Sequence, residues 1–164
     1  MRLVAFVAAV LLALVATPAE ARQTVHFDGY RPGTIVVKTG ERALYLVVDD
    51  GVALRYPVGV GRAGKQWTGK ARVDGKYIRP AWAPPAEVKR DKPSLPAVIA
   101  GGSPRNPMGA AALTLTGGEY AIHGTNDPKS IGGYVSYGCI RMYNQDITDL
   151  YRRVAVGTPV IVTR

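Results

Sequence analysis

The sequence predicts a mainly β domain with a sandwich-like architecture and one short helix near its C-terminal end. Short segments rich in Val, Ile, Leu and Tyr recur along the chain, and turn signals separate them. Only one segment has the periodicity of an amphipathic helix. Repeated short strands joined by turns are typical of sandwiches and barrels, and this pattern decides the predicted class.

The chain starts with a segment typical of a secretory signal peptide. A positively charged start is followed by the apolar run Leu3–Ala16 and by "TPAEA", which has small residues where a signal peptidase reads. The run is shorter than the ~20 residues that a membrane span needs. We therefore expect residues 1–21 to be cleaved and residues 22–164 to form one secreted domain without a stable membrane span. An uncleaved anchor is the alternative.

The domain is strongly basic. The formal net charge is +9, and loss of residues 1–21 leaves it unchanged because that segment holds one basic and one acidic residue. The sequence contains neither a known nucleic-acid motif nor a ladder of alternating aromatic and basic residues, so nucleic acid is not an expected partner. The charge favours attraction to anionic polymers of the cell envelope, or serves solubility alone.

Strands are predicted at both ends of the domain. The segments are Thr34–Thr39, Arg42–Asp49, Val52–Val60 and Thr158–Thr163, with a hairpin turn at Asp49–Gly51. A further hairpin is predicted over Ala111–Thr125, turning at Gly117–Gly118. Residues 61–96 are rich in Gly and Pro, and we expect long loops with short strands there.

The segment Asn144–Val154 predicts the helix. Its apolar residues follow the i, i+3, i+4, i+7 spacing of one helix face. Acidic residues come early in it and arginines come late, as the helix dipole favours. Asn144 is the expected N-cap.

The single cysteine, Cys139, is the most informative residue. Exported proteins generally use cysteines in pairs, so a lone thiol is reactive, links two chains, or is buried and inert. A reactive thiol needs a base or a positive environment. His123 is the candidate base, whereas His26 is expected to be a surface residue.

The neighbours of Cys139 fit a nucleophile. Gly138 allows close backbone approach, and the N–H groups of Tyr137, Gly138 and Cys139 could form an oxyanion hole. On a strand, Arg141 would share a face with Cys139, where it could bind a substrate carboxylate or, alternatively, form a surface ion pair.

The imidazole of His123 needs an acceptor for its second nitrogen. The backbone carbonyl of Gly124 could serve, and Asp127 is interpreted as a turn residue before a proline. No zinc-ligand spacing is present, the glycine-rich Gly59–Gly64 lacks a following helix signal, and Ser136 lacks the setting of a serine hydrolase. We therefore expect no metal and no cofactor.

The segment from His123 to Met142 resembles the L,D-transpeptidase family with its YkuD-type catalytic domain. The shared motif is "IHGT" followed, after a loop, by Ser-x-Gly-Cys-Ile-Arg-Met. Earlier blocks, such as "PAWAPP" and "NPMGAAAL", extend the resemblance over the chain from about Gly33 onward. Tyr137 is a departure, because many members have histidine in that place.

The resemblance implies a periplasmic or cell-wall enzyme in which Cys139 attacks a peptidoglycan tetrapeptide stem before its terminal D-alanine. The resulting thioester would be transferred to a stem diamino acid, giving a 3–3 crosslink, to an envelope protein, or to water. Carbapenems would acylate the same cysteine. A non-catalytic peptidoglycan-binding domain is the further alternative. The implied catalytic residues are Cys139, His123 and Gly124, and the implied oxyanion or substrate-binding residues are Tyr137, Gly138, Arg141, Ser136 and Thr125.

Overall fold

A computed structural model describes residues 22–118 and 120–164, so the predicted signal peptide lies outside the described residues. The strands are β1 (Gln23–His26), β2 (Ile35–Lys38), β3 (Ala43–Asp49), β4 (Val52–Pro57), β5 (Val60–Gly61), β6 (Gly69–Ile78), β7 (Ala111–Leu115), β8 (Ala121–His123), β9 (Tyr134–Ser136), β10 (Ile140–Arg141) and β11 (Pro159–Thr163). The helices are α1 (Ala86–Asp91) and α2 (Asn144–Arg153), and a 3₁₀ turn covers Pro128–Ser130.

Nine of the strands form one continuous sheet in the order β1-β4-β3-β2-β11-β6-β7-β8-β10. Most neighbours are antiparallel, but β2 pairs with β11, and β8 with β10, in parallel. The short strands β5 and β9 form a second, parallel pair. The last strand of the chain therefore lies in the middle of the large sheet, where it joins the first half of the domain to the second.

The main core lies between the inner faces of the two halves of this sheet. Helix α2 packs against β7 and adds Ile147 and Leu150, both fully buried, to this core. Ile35 and Val37 of β2 belong to the same cluster, whereas Val36 between them packs into a second cluster on the opposite face. Both faces of the central strands are covered, so the mainly β, sandwich-like prediction is confirmed.

The segment 61–96 is more ordered than its composition indicates. It contains the ten-residue strand β6 and the six-residue helix α1 in place of loops with short strands. Strand β6 pairs with β11 over residues 69–72 and with β7 over residues 73–78, so pairing extends along the strand although its sequence is a weak strand former. Helix α1 begins directly after Pro85, where a proline fits a helix start. No helix in the described part of the chain is long and apolar enough to span a membrane.

Helix α2 forms where the periodicity predicts it, but its start differs from the prediction. Asn144 is the first helical residue, Tyr143 holds the N-cap position, and no side chain caps the helix. The predicted cap is therefore wrong. The amide of Asn144 instead faces two backbone segments beside His123.

Candidate active site

Parallel pairing of β8 and β10 places His123 beside Arg141. The two residues are in register on adjacent strands, and the N–H of Met142 donates to the carbonyl of His123 at 2.8 Å. Cys139 immediately precedes β10, at the end of the turn that connects it to β9. Residues that are distant in sequence are thereby brought to one edge of the sheet.

Cys139, His123 and Arg141 line the same narrow cavity of about 70 Å³. Trp82 also lines it. Cys139 is half-buried and borders a wider cleft of about 430 Å³ as well. Arg141 borders a third cleft of about 280 Å³. The candidate nucleophile thus lies at a constriction that shares its walls with two larger openings.

His123 is buried, with 4% of its surface exposed. Its Nδ1 lies 2.7 Å from the carbonyl oxygen of Gly124. Because a carbonyl can only accept, Nδ1 carries the hydrogen and Nε2 keeps its lone pair. Burial, followed by the positive charge of Arg141, lowers the pKa of His123 to about 4, although hydrogen bonds to the backbone of Gly124 and Pro107 oppose this. The imidazole is therefore neutral at pH 7 and can accept a proton.

Ser136 ties together the turn that carries Cys139. The N–H of Gly138 donates to Ser136 Oγ at 3.0 Å, and that hydroxyl donates to the carbonyl of Cys139 at 2.6 Å. Ser136 is buried. Its hydroxyl and the Gly138 N–H form hydrogen bonds within the protein that shape the turn, and Ser136 also lines the narrow cavity beside Cys139.

An aromatic pair supports the same turn from the other side. Gly138 has φ +123°, and a Cβ there would collide with the ring of Tyr120. Trp67 stacks on Tyr120 with 4.9 Å between ring centroids, and its indole N–H donates to the carbonyl of Gly138 at 3.0 Å. Sequence analysis missed Trp67 and Tyr120, since no local pattern links them to the cysteine.

Tyr137 links the turn to helix α1. Its hydroxyl donates to the Asp91 carboxylate at 2.6 Å, and the guanidinium of Arg62 lies 4.0 Å from the centre of its ring. Asp91 also accepts from Arg62 at 2.9 Å. Val88 of α1 and Tyr137 both line all three cavities. Helix α1 therefore covers the cysteine, a role that the sequence did not reveal.

The remaining predicted residues lie away from the cavity. Thr125 is buried, and its hydroxyl bonds the backbone of Asp127, in keeping with the interpretation of Asp127 as a turn residue. Thr125 lines a separate cleft, not those beside Cys139. His26 is exposed and pairs with Asp28 at 2.6 Å, which confirms the surface prediction. Across residues 22–118 and 120–164, no cluster of three or more His, Cys, Asp or Glu could hold a metal ion.

One part of the Arg141 side chain is buried, and another part lines the cavity. Within the described residues, its Nε is buried and has no hydrogen-bond partner, while the side chain lines the cavity next to Cys139. A guanidinium with an unused donor beside a nucleophile is suited to bind a carboxylate.

The family-model match and the curated relatives point to one family. The family model for YkuD, described as the L,D-transpeptidase catalytic domain, matches residues 32–162. The "Probable L,D-transpeptidase YbiS" of Escherichia coli K12 is 37% identical over 147 residues, which cover 85% of this chain and 47% of that protein. The chain thus spans about half the length of this relative and of two similar Escherichia coli proteins.

Solved structures share the fold. A Brucella melitensis protein, described as a probable carnitine operon oxidoreductase, is 40% identical with a TM-score of 0.60, covering 90% of this chain and 96% of its own. The L,D-transpeptidase LdtMt1 in complex with imipenem is 15% identical with a TM-score of 0.61, covering 79% of this chain and 58% of its own. At that identity, the second likeness supports the fold alone.

Proposed function

Because the chain belongs to the YkuD family of L,D-transpeptidase catalytic domains, we propose that it is a cysteine-dependent peptidoglycan L,D-transpeptidase. One observation carries the proposal: Cys139, His123 and Arg141 line a single narrow cavity. A thiol, a neutral imidazole and a guanidinium are the groups that acyl transfer from a carboxylate-bearing peptide requires.

The first half-reaction forms a thioester. The donor is a tetrapeptide stem, and Cys139 Sγ attacks the carbonyl carbon of its third residue while His123 Nε2 takes the thiol proton. His123 then gives this proton to the nitrogen of D-alanine as the C–N bond breaks. The neutral state of His123 at pH 7 supports this role, because only the unprotonated imidazole can act as a base.

The second half-reaction transfers the acyl group. An amine attacks the thioester carbonyl, His123 takes a proton from that amine, and the proton returns to the Cys139 sulfur as the C–S bond breaks. A stem diamino acid as acceptor gives a 3–3 crosslink. A protein amine would attach an envelope protein to the wall, and water would give L,D-carboxypeptidation.

Arg141 would bind the terminal carboxylate of the donor stem and balance its negative charge. Its place on the cavity wall beside Cys139 supports this assignment. The developing oxyanion would be bound by backbone N–H groups of Tyr137 and Cys139, since the Gly138 N–H donates to Ser136 Oγ.

The setting of the reaction would be the periplasm or cell wall, where the enzyme would contribute to wall biogenesis and cell shape. The signal-like segment 1–21 and the net charge of +9 suit an anionic envelope polymer. A carbapenem would acylate Cys139, as the resemblance to the L,D-transpeptidase family implies.

The test uses the purified protein with defined tetrapeptide muropeptides and mass spectrometry of the products, with Cys139→Ser as the matched variant. D-Alanine release with dimers, both absent in the variant, is the expected result. If D-alanine is released without dimers, candidate protein amines are added next. Dimers or conjugates that form after this addition would assign the acceptor. No release by the folded wild-type protein would contradict the enzyme and favour a binding domain, and a dimer band on a non-reducing gel would favour a disulfide role for Cys139.

A further inference from the structure

We propose that Asn144 is a positioning residue for His123. Its side-chain amide fixes the one peptide unit whose carbonyl selects the tautomer of the imidazole. The inference rests on the proposed function, because it concerns the base of that reaction. It assigns a role to a residue that neither the sequence motif nor the cavity lining brings into the chemistry.

The side chain of Asn144 makes three hydrogen bonds to backbone groups. Its Oδ1 accepts from the N–H of Ala110 at 2.9 Å and from the N–H of Thr125 at 3.1 Å. Its Nδ2 donates to the carbonyl of Thr125 at 2.9 Å. The amide thus pairs with both backbone groups of Thr125, which requires a donor and an acceptor side by side, as only an amide side chain offers.

The N–H of Thr125 belongs to the same planar peptide unit as the carbonyl of Gly124. In a trans unit these two groups point in opposite directions. Asn144 holds the N–H on one side, and the carbonyl on the other side lies 2.7 Å from His123 Nδ1. The orientation of that carbonyl therefore depends directly on the bond from Thr125 to Asn144.

The preceding peptide unit is fixed independently. The N–H of Gly124 donates to Ala111 at 3.0 Å, and the carbonyl of His123 accepts from Met142 at 2.8 Å. Sheet pairing thus holds the His123 backbone, and it reaches no further than this unit. The next peptide unit carries the Gly124 carbonyl that orients the imidazole. Asn144 holds this unit in place.

Two glycines allow Asn144 to come this close. A Cβ on either Gly109 or Gly124 would collide with Asn144 Oδ1. The amide is therefore packed directly against both backbone segments. A chain of hydrogen bonds then runs from Asn144 Oδ1 through one peptide unit to the imidazole, and such chains strengthen each member by polarisation.

The chemical consequence concerns the free nitrogen of His123. With Nδ1–H held by Gly124, the lone pair of Nε2 is available to take the thiol proton. Without Asn144 the peptide unit can rotate, and the Gly124 carbonyl no longer holds Nδ1–H. The backbone of Pro107 is a second hydrogen-bond partner of the ring, so the other tautomer, which presents N–H at Nε2, becomes populated. That tautomer cannot act as the base.

The experiment compares Asn144→Ala with Thr148→Ala in the full protein. Thr148 lies on the same helix and donates to the backbone carbonyl of Asn144 at 2.7 Å, so its loss weakens α2 without touching the 124–125 peptide unit. The tautomer is read by ¹⁵N NMR of the imidazole rings, which is simple because the chain has two histidines. The Nδ1–H form of His123 is expected in wild type and Thr148→Ala, and a mixture in Asn144→Ala.

Activity gives the second measurement. We expect Asn144→Ala to lower kcat about 10- to 100-fold, the range known for outer partners of metal-bound histidines, with KM little changed. Asn144→Asp keeps an acceptor for the Thr125 N–H but loses the donor to the Thr125 carbonyl, and should restore the Nδ1–H form in part. An unchanged tautomer in folded Asn144→Ala, or an Nε2–H form in wild type, would overturn the inference. Because the NMR needs no substrate, this outcome is separate from failure of the proposed reaction.

Discussion

The hydroxyl of Tyr137 donates to the carboxylate of Asp91 at 2.6 Å, and this bond joins the turn of the nucleophile to the helix that covers it. Arg62 completes the contact by pairing with Asp91 and lying over the tyrosine ring. At the other end of α1, Lys65 pairs with Glu87. The cover over Cys139 is thus held by exposed charged groups, whose interactions are weak and sensitive to salt.

Asp91→Asn should make Cys139 easier to reach. The change removes the charge that holds Arg62 and weakens the bond to Tyr137, so α1 moves away more often. We expect a bulky maleimide to react faster relative to small iodoacetamide, by less than about tenfold because the pairs are exposed. The ratio of the two rates cancels any change in thiol reactivity.

The control for this change is Arg90→Gln, which also alters a charge on α1 but leaves the Tyr137 contact in place. High salt should shift the wild-type ratio in the direction of Asp91→Asn. An equal effect of both variants, or no effect of either variant or salt, would contradict the account of α1 as a cover held by Asp91.

The pH dependence of the reaction should reflect the buried histidine. An ordinary histidine would lose its basic form below about pH 6.5, but burial lowers the pKa of His123 to about 4. The base is unprotonated above its pKa, so kcat/KM for acylation by a carbapenem should stay level from pH 7 to about pH 5 and decline near pH 4. A decline centred near 6.5 would show that His123 is not the titrating base, or that it is not buried.

Arg141→Gln should raise the pKa of His123 part of the way towards 6.5. Burial, the larger cause of the depression, remains, and only the repulsion from the guanidinium is removed. An NMR titration of the two histidine rings measures this without substrate, which the variant would bind poorly. Arg62→Gln is the matched control, and an equal shift in both variants would speak against a specific effect of Arg141.

Asp146 should make the protein less stable as pH rises from about 4 to 6. Its Oδ2 is buried without a hydrogen-bond partner among the described residues, and burial, with a smaller effect of Asp149, raises its pKa to about 6. The folded state therefore holds a proton that the unfolded state releases above about pH 4, so stability from this group is lost as pH rises through that window. Asp146→Asn should stabilise by about 1–3 kcal/mol at pH 7 and have little effect at pH 4.

Asp149→Asn is the contrasting variant. The free energy of unfolding of both variants is measured with urea at the same pH values. Burial acts to raise the pKa of Asp149, but hydrogen bonds from Arg153, Arg22 and Tyr56 outweigh it and hold the pKa below its usual range. Its contribution is present above about pH 4 and is lost as pH falls. Asp149→Asn should therefore destabilise at pH 7. The same pH trend for both variants would contradict the assigned environments.

Gly138→Ala should unfold more easily than Gly132→Ala. Both glycines have positive φ, but a Cβ at Gly132 meets nothing within 4 Å, whereas one at Gly138 collides with the Tyr120 ring. We expect a loss of about 1–2 kcal/mol of unfolding free energy for Gly132→Ala and more than about 3 kcal/mol for Gly138→Ala. Equal losses in denaturant titrations would mean that Tyr120 does not support the turn.

The local sequence pattern was enough to predict the strands and the helix whose own side chains favour that conformation. The alternating and apolar runs of β2, β3, β4, β7 and β11 predict strands, and helix α2 has a clear apolar face. Strand β6 was missed because its glycines and charges are weak strand formers, and pairing along both of its edges decides its conformation. Long-range pairing of this kind cannot be inferred from the residues of the segment itself.

The candidate site shows the same division. Cys139, His123 and Arg141 could be identified as candidates because the chain has one cysteine and two histidines and the neighbours of these residues are distinctive. The contacts of Trp67 with Gly138, and of Asn144 with Thr125, could not, because they join distant segments. The sequence interpretation of Asn144 as a cap used only its position at a helix start, and the fold directs its amide elsewhere.

The central claim is that Cys139 forms a thioester with the donor stem, and intact-protein mass spectrometry tests it most directly. The protein is mixed with a tetrapeptide donor, quenched in acid within the turnover time, and mapped by proteolysis. The account predicts a mass gain equal to the donor minus one D-alanine, located on Cys139 and absent in Cys139→Ala. Product formation by folded Cys139→Ala, or an adduct on another residue, would contradict it.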